Sequence, residues 1–354
     1  MLSYISAKEA AEKWEISQRR VAILCAEHRV EGAMMVGNMW IIPSTATKPI
    51  DKRIAQKDKP TPIAPKPFVK WVGGKSQLAN EIERVLVDSG RAFTKYAEPM
   101  VGGGALLFCL ASKYQFEEIY ISDINAELIN AYTVIKNDID GLIAKLFDYQ
   151  MLFLPMDESG RKLFYYTIRE RFNNTTLSSE TATEKAAQFI FLNKTCFNGL
   201  YRVNKNGQFN VPIGAYKNPT ICDERNLRKV HSTIQKVKIV HGDYSLAKSF
   251  IDANTFVYID PPYRPISETS AFTSYTTETF DDGEQIRLAR FVDDVAAVGA
   301  KVVLSNSDPK NYDAEDDFFD NLYTNYTIHR VSAARTINSK GEKRGKINEL
   351  LIHN

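Results

Sequence analysis

Asp260-Pro261-Pro262-Tyr263 sets a carboxylate, two rigid imino acids and an aromatic ring side by side. It follows Thr255-Phe256-Val257-Tyr258-Ile259, an apolar run that predicts a buried strand, so the tetrapeptide falls at a strand's C-terminal end. Ligands of open α/β sheets bind at that edge. These residues suit the activation of an exocyclic amino nitrogen such as that of adenine, a poor nucleophile because its lone pair is delocalised into the ring. With Asp260 and the Pro261 carbonyl accepting its two N–H bonds, the nitrogen is favoured as a pyramid, its lone pair aimed at a methyl on sulfonium. A sulfonium is already an excellent leaving group, so positioning and dipoles suffice and no metal is called for. Pro261 and Pro262 hold the loop rigid, and Tyr263 offers a face to a base swung out of a duplex. A plain turn is the bland alternative, and the place after a buried strand argues against it.

A second site element is Glu98-Pro99-Met100-Val101-Gly102-Gly103-Gly104-Ala105, between an expected strand and an expected helix. Glycines there let a ligand approach the backbone, although a tight turn explains them equally well when taken alone. Further on, Ile119-Tyr120-Ile121-Ser122 ends in Asp123, the arrangement in which a carboxylate holds ribose hydroxyls. Together the two predict a nucleoside pocket. Phe68–Lys75 contains Gly73-Gly74-Lys75 but lacks both the earlier glycine and the preceding strand of a phosphate loop, which argues against nucleotide hydrolysis.

The elements that must carry these residues follow from periodicity. Buried-strand runs are expected at Lys95–Glu98, Ile119–Ser122, Val237–His241, Thr255–Asp260, Lys301–Ser305, Tyr326–Val331 and Glu349–Ile352. Helical periodicity falls between several of them, at Leu78–Val87, Ala105–Leu110, Glu127–Val134 and Ile286–Val298. The pattern predicts an α/β fold with a parallel, helix-covered sheet. Residues 140–235 interrupt it with helices and an Asn/Gly-rich stretch, a natural place for a substrate-recognition insertion, and leave 67–139 with 236–354 as the catalytic part.

Residues 1–43 read as a separate helix-turn-helix unit. Ser6 and Glu9 form a capping box, Ser17 caps a second helix, and Gln18, Arg19 and Arg20 occupy that helix's first turn, where recognition helices carry base-reading residues. Val36–Ile42 resembles a hairpin wing, so the unit is similar to excisionase-type winged helices, with a protein-contact role as the alternative. Residues 44–66 lose apolar periodicity and carry Pro49, Pro60, Pro62 and Pro65 among lysines, the composition of an extended linker.

A formal net charge of +2 hides segregation: Lys48, Lys52, Arg53, Lys57, Lys59, Lys66, Lys70 and Lys75 form one basic run, and Arg330, Arg335, Lys340, Lys343, Arg344 and Lys346 another. Such segregation suits a face toward a polyanion, and solvated loops account for either run taken alone. Scattered Cys25, Cys109, Cys196 and Cys222 support neither a disulfide framework nor a zinc site. With no apolar span or signal-peptide layout, a cytoplasmic setting away from membranes is expected.

In their order, these segments resemble the Dam-like, D12-class (alpha-group) family of DNA adenine-N6 methyltransferases over residues 66–354. The resemblance implies a Rossmann-like class I sheet, S-adenosylmethionine as donor, S-adenosylhomocysteine as product, no metal, and double-stranded DNA as substrate. It implies that Trp71 and Lys75 contact the donor, Glu98 and Gly102 line its pocket, Asp123 binds its ribose, Asp243 and Tyr244 meet its adenine, and Asp260 lies between donor and target base. Asn193–Asn204, running on to Gly207–Pro212, looks like the family's DNA-reading hairpin. Arg202 sits where the family reads guanine, Leu200 and Pro212 at other recognition positions, and Phe197 where an aromatic wedge stands beside the flipped base. Lys70, Lys340 and Arg344 are expected on DNA. Ala215 stands where many relatives carry a basic residue, which moves or removes one backbone contact. The resemblance favours GATC or another GA-containing site, and suggests a separately acting restriction endonuclease as partner.

Three other readings compete. Glutamine-modifying protein methyltransferases usually begin the tetrapeptide with Asn, and cytosine-N4 enzymes with Ser. A pure DNA-binding regulator would leave the nucleoside pocket unexplained.

Overall fold

The computed structural model describes residues 3–14, 16–26, 29–37, 39–49, 64–71, 78–264, 280–334 and 346–354. Contacts divide the chain into two units, Met1–Ile63 and Ala64–Asn354.

The first unit contains β1 (Tyr4–Ser6), α1 (Ala7–Trp14), α2 (Gln18–Ala26), β2 (Met34–Val36) and β3 (Met39–Pro43). Its strands form an antiparallel sheet in the order β1-β3-β2. The capping box is present: Glu9 accepts from the Ser6 backbone N–H at 2.8 Å, and the Ser6 hydroxyl accepts from the Glu9 N–H at 3.3 Å. Trp14, Val21, Leu24 and Ile42 close a small core of their own.

In the second unit the elements run α3 (Ala79–Asp88), β4 (Lys95–Pro99), α4 (Ala105–Ala111), β5 (Glu118–Asp123), α5 (Ala126–Asn137), α6 (Ile139–Phe153), α7 (Glu158–Asn174), α8 (Ala182–Thr195) and α9 (Glu224–Ile234). They continue with β6 (Val237–His241), β7 (Thr255–Ile259), α10 (Asp282–Ala297), β8 (Lys301–Ser307), α11 (Phe318–Leu322), β9 (Thr327–Ala334) and β10 (Lys346–His353). Short polar side chains start the longer helices. Asn125, Asp138, Asp157, Asp223 and Asp281 each accept a backbone N–H in the first turn of α5, α6, α7, α9 and α10, a contact worth about 0.5–2 kcal/mol apiece.

Among the described residues the strands form a seven-stranded sheet in the order β6-β5-β4-β7-β8-β10-β9. Neighbouring strands from β6 to β8 are parallel. The all-parallel expectation fails at β10, which runs antiparallel to both β8 and β9. The reason is connection length. Residues 335–345 join β9 to β10, fewer than the roughly dozen or more that a parallel crossover takes. Alternation along β4 and β7 serves both faces. Tyr96, Phe256 and Tyr258 enter the larger core with α3–α9, while Ala97, Val257 and Ile259 enter the core beneath α10.

The hairpin expected over 193–212 is also looser than a ladder. It consists of the isolated antiparallel bridges Cys196↔Ile213 and Val203↔Phe209, with one helical turn at Phe197–Gly199.

Candidate active site

From β4 the chain steps outward to β5 and β6, then returns beside β4 with β7 and proceeds the other way. The loops leaving β4 and β7 therefore face a common crevice at the strands' C-terminal ends, where open α/β sheets bind ligands. A cavity of about 350 Å³ lies there, walled by Lys70, Trp71, Glu98, residues 100–106, Tyr258 and Asp260. Trp71, Glu98 and Gly102, expected from the sequence on the donor, and Asp260, expected at the reacting nitrogen, thus share one cavity.

Glu98 is only 3% exposed. The Tyr96 hydroxyl donates to its carboxylate at 2.7 Å. Burial pushes the Glu98 carboxyl up to about 8; the bonds from Tyr96 and the Leu107 N–H work against this, and neighbouring Asp260 works with it. Glu98 is therefore largely neutral near pH 7, and a cationic ligand beside it would favour its ionised form.

The glycine loop shows why small residues are needed. Gly102 and Gly104 have φ of 51° and 70°, and a Cβ on Gly102 would lie 2.8 Å from the Trp71 indole. The Tyr132 hydroxyl, from α5, donates to the Gly102 carbonyl at 3.0 Å. Asp123, half-buried at the end of β5, accepts from the N–H groups of Gly102 at 3.0 Å and Asn125 at 2.9 Å. Burial raises its carboxyl above the usual range against the pull of these bonds. Asp123 thus fixes the glycine loop, and its carboxylate keeps capacity for a further donor.

Asp260 and its loop are bolted to β8 and α10 by residues that the sequence reading missed. The Tyr258 hydroxyl lies 2.9 Å from Ser305 Oγ, which donates to Asp260 Oδ1 at 3.1 Å. Buried Gln285 donates to the Pro262 carbonyl at 3.1 Å and accepts from buried Asn306 at 3.1 Å. Arg264 pairs with Asp282 and Asp316, both at 2.6 Å, with its guanidinium 4.4 Å from the Phe318 ring centroid. The Tyr263 hydroxyl donates to Glu349 at 2.9 Å. One signal was available: Lys301–Leu304 turns polar at Ser305-Asn306, at the same edge of the sheet as Asp260.

Asp243 and Tyr244 stand just past β6, outside the walls of this cavity. Asp243 pairs with Arg287 at 2.8 Å. Burial opposes its ionisation, yet Arg287 and Ser245 bring its carboxyl down to about 2. Tyr244 is buried edge-on to Phe291. Lys75, Lys340 and Arg344 lie outside the described residues, as does the Arg20 side chain; Arg19 is exposed on α2.

After α8, the loop presents Phe197, 52% exposed, beside exposed Pro212, whose carbonyl accepts the Phe197 N–H at 2.9 Å. Arg202 is exposed, its Nε donating to Asn210 at 2.7 Å. Leu200 is half-buried and packs on the larger core. Lys70 reaches this loop too, its Nζ 3.9 Å from the Tyr216 ring centroid.

A model of the D12 class N6 adenine-specific DNA methyltransferases matches residues 71–337, leaving Met1–Ile63 outside the match. The type II methyltransferase M.MjaIII of Methanocaldococcus jannaschii is 50% identical over 82% of this chain and 99% of its own. The type II methyltransferase M1.LlaDCHI of Lactococcus lactis is 37% identical over 85% of this chain and 98% of its own. A DNA adenine methylase of Vibrio cholerae is 33% identical over 80% of this chain and 94% of its own.

The Glu98 environment has a pH signature. A folded carboxyl at about 8 against an ordinary 4.5 adds stability that is fully present below 4.5 and lost as pH rises through 8. Glu98→Gln removes that dependence. Its melting temperature relative to the parent should therefore climb between pH 5 and pH 8 in ligand-free protein, and parallel melting profiles would contradict the assigned environment.

Proposed function

This chain belongs to the D12 class of N6 adenine-specific DNA methyltransferases, enzymes that use S-adenosylmethionine, and we propose that its donor sits between Trp71, Glu98, Gly102 and Asp260. The observation carrying this reading is the pair of carboxylates, Glu98 and Asp260, lining one cavity. A donor bearing a sulfonium supplies the positive charge they lack and a methyl group already activated for transfer. The donor set fits: Trp71 offers an aromatic wall, Gly102 leaves room for close approach, and Asp123 has lone pairs beside the glycine loop for ribose hydroxyls. Asp243 and Tyr244 are assigned to the donor's adenine, Asp243 keeping its negative charge through Arg287. Lys75 is assigned to the donor by its place in the matched segment.

Asp260 and the Pro261 carbonyl accept the two N6 hydrogens of a flipped adenine, leaving the nitrogen lone pair directed at the methyl group. Ser305 fixes the Asp260 rotamer, and Gln285 fixes the loop through Pro262. Tyr263, tied by its hydroxyl to Glu349, lends its ring face to the base.

On the DNA side, Phe197 fills the space of the flipped nucleotide, Arg202 reads guanine in the major groove, and Leu200 and Pro212 touch neighbouring bases. Lys70, Lys340 and Arg344 contact DNA around them. The site read is GATC or another containing GA. Residues 1–43 act as a winged-helix unit in which Arg19 and Arg20 add affinity outside the methylated bases, residues 44–66 tether it, and 140–235 form the target-recognition domain. No helix among the described residues is long and apolar enough to cross a membrane. The working compartment is the cytoplasm, and a separate restriction endonuclease reading the same site is the protein partner.

Two variants read by mapping methylated adenines in exposed DNA test this division of labour. Arg202→Ala should lose about 1–3 kcal/mol of discrimination and relax preference at a single base position; an unchanged motif removes Arg202 from base reading. Removing residues 1–60 should weaken DNA binding and flatten its salt dependence while the methylated core persists. A different core sequence from the truncated enzyme would make the first unit the specificity domain.

A further inference from the structure

Asn193, in the last turn of α8, is 2% exposed and fully engaged. Its side-chain oxygen accepts the Lys70 backbone N–H at 2.7 Å. Its amide nitrogen donates to the Lys70 carbonyl at 2.8 Å and to the Gly199 carbonyl at 3.0 Å. One side chain thus imitates a rung of β-ladder on the strip that walls the cavity, and ties that strip to the loop bearing Phe197 and Arg202. Further contacts join the same two parts. The Trp71 and Tyr201 rings stack with centroids 5.8 Å apart and planes 24° from parallel. Gly199, at φ 64°, lies so close to Lys70 that an added Cβ would stand 2.6 Å from the lysine Cβ. Lys70 and Trp71 therefore have the cavity on one side and the loop on the other.

We propose that Asn193 is a positioning residue that couples the two binding events, making the Lys70–Trp71 wall and the Phe197–Arg202 loop move as one piece. A donor seated against Trp71 sets the loop in its DNA-reading register, and DNA on the loop closes the wall on the donor. The proposal rests on the donor site assigned above. Its thermodynamic content is a reciprocal factor: each ligand tightens the other equally. The buried amide is suited to this because a fully satisfied polar network has few alternative arrangements.

The test measures affinity of the full chain for a duplex carrying its methylation site, with and without S-adenosylhomocysteine, and affinity for S-adenosylhomocysteine with and without the duplex. In the parent enzyme each ligand should tighten the other by the same factor, about fivefold or more. Asn193→Asp keeps size and acceptor but cannot donate to Lys70 or Gly199, and should bring that factor close to one while both ligands still bind. Tyr201→Leu, which removes the stack on Trp71, should lower the factor in the same direction and carries the test if Asn193→Asp does not fold. A purely structural role would weaken both affinities and leave the factor intact, and that result overturns the proposal. A factor of one in the parent overturns it too. Failure of the parent to bind S-adenosylhomocysteine would overturn the donor site, and this coupling with it, whereas binding of both ligands without mutual effect overturns the coupling alone.

Discussion

Two adjacent parallel strands, β4 and β7, deliver a carboxylate each to one cavity, and water is largely excluded from one of them. Ionising Glu98 there is costly, because burial and the neighbouring Asp260 penalise the same form. The protein answers with asymmetry. Burial leaves Glu98 largely neutral against the pull of the Tyr96 hydroxyl and the Leu107 N–H, while Asp260 is oriented by Ser305. A cationic ligand would favour the ionised form of Glu98, which is the basis for proposing a sulfonium donor there.

The scaffold is shaped by the same demand. The reversal of strand order beside β4 makes the crevice, but a crevice alone does not fix a reactive geometry to within a fraction of an ångström. That task falls to polar side chains buried off the reaction path. Gln285 of α10 grips the Pro262 carbonyl and is held in turn by Asn306 of β8, and Arg264 ties the loop's far end to Asp282 and Asp316. On the opposite wall, Asn193 grips Lys70. The two walls are built alike: a flexible loop made rigid by a satisfied amide from a neighbouring element.

What could be read from the sequence was whatever depends on neighbours along the chain. Thr255–Ile259 was legible as a strand because a strand buried on both faces is a continuous apolar run. Ser6 and Glu9 were legible as a cap because their bonds close within one helical turn. The positions of Asp260, Glu98 and Asp123 were legible because each stands at the C-terminal end of an apolar strand. The reversed direction of β10 was not, since apolar alternation reads the same in either direction. Asn193, Gln285 and Ser305 were not, since their partners lie far away in sequence; Asn193 and Lys70 are 123 residues apart. Asp243 was found at its strand end, yet nothing local announced its ion pair with Arg287.

In the proposed mechanism Asp260 acts on the reacting nitrogen and contributes little to DNA affinity. Single-turnover methyl transfer from labelled S-adenosylmethionine to duplex DNA, run beside equilibrium binding of the same duplex, tests it in one variant. Asp260→Ala should abolish transfer, by about 10²–10³-fold or more, with DNA affinity changed little. Near-normal transfer in that variant would contradict the account, and so would a loss of transfer matched by an equal loss of DNA binding.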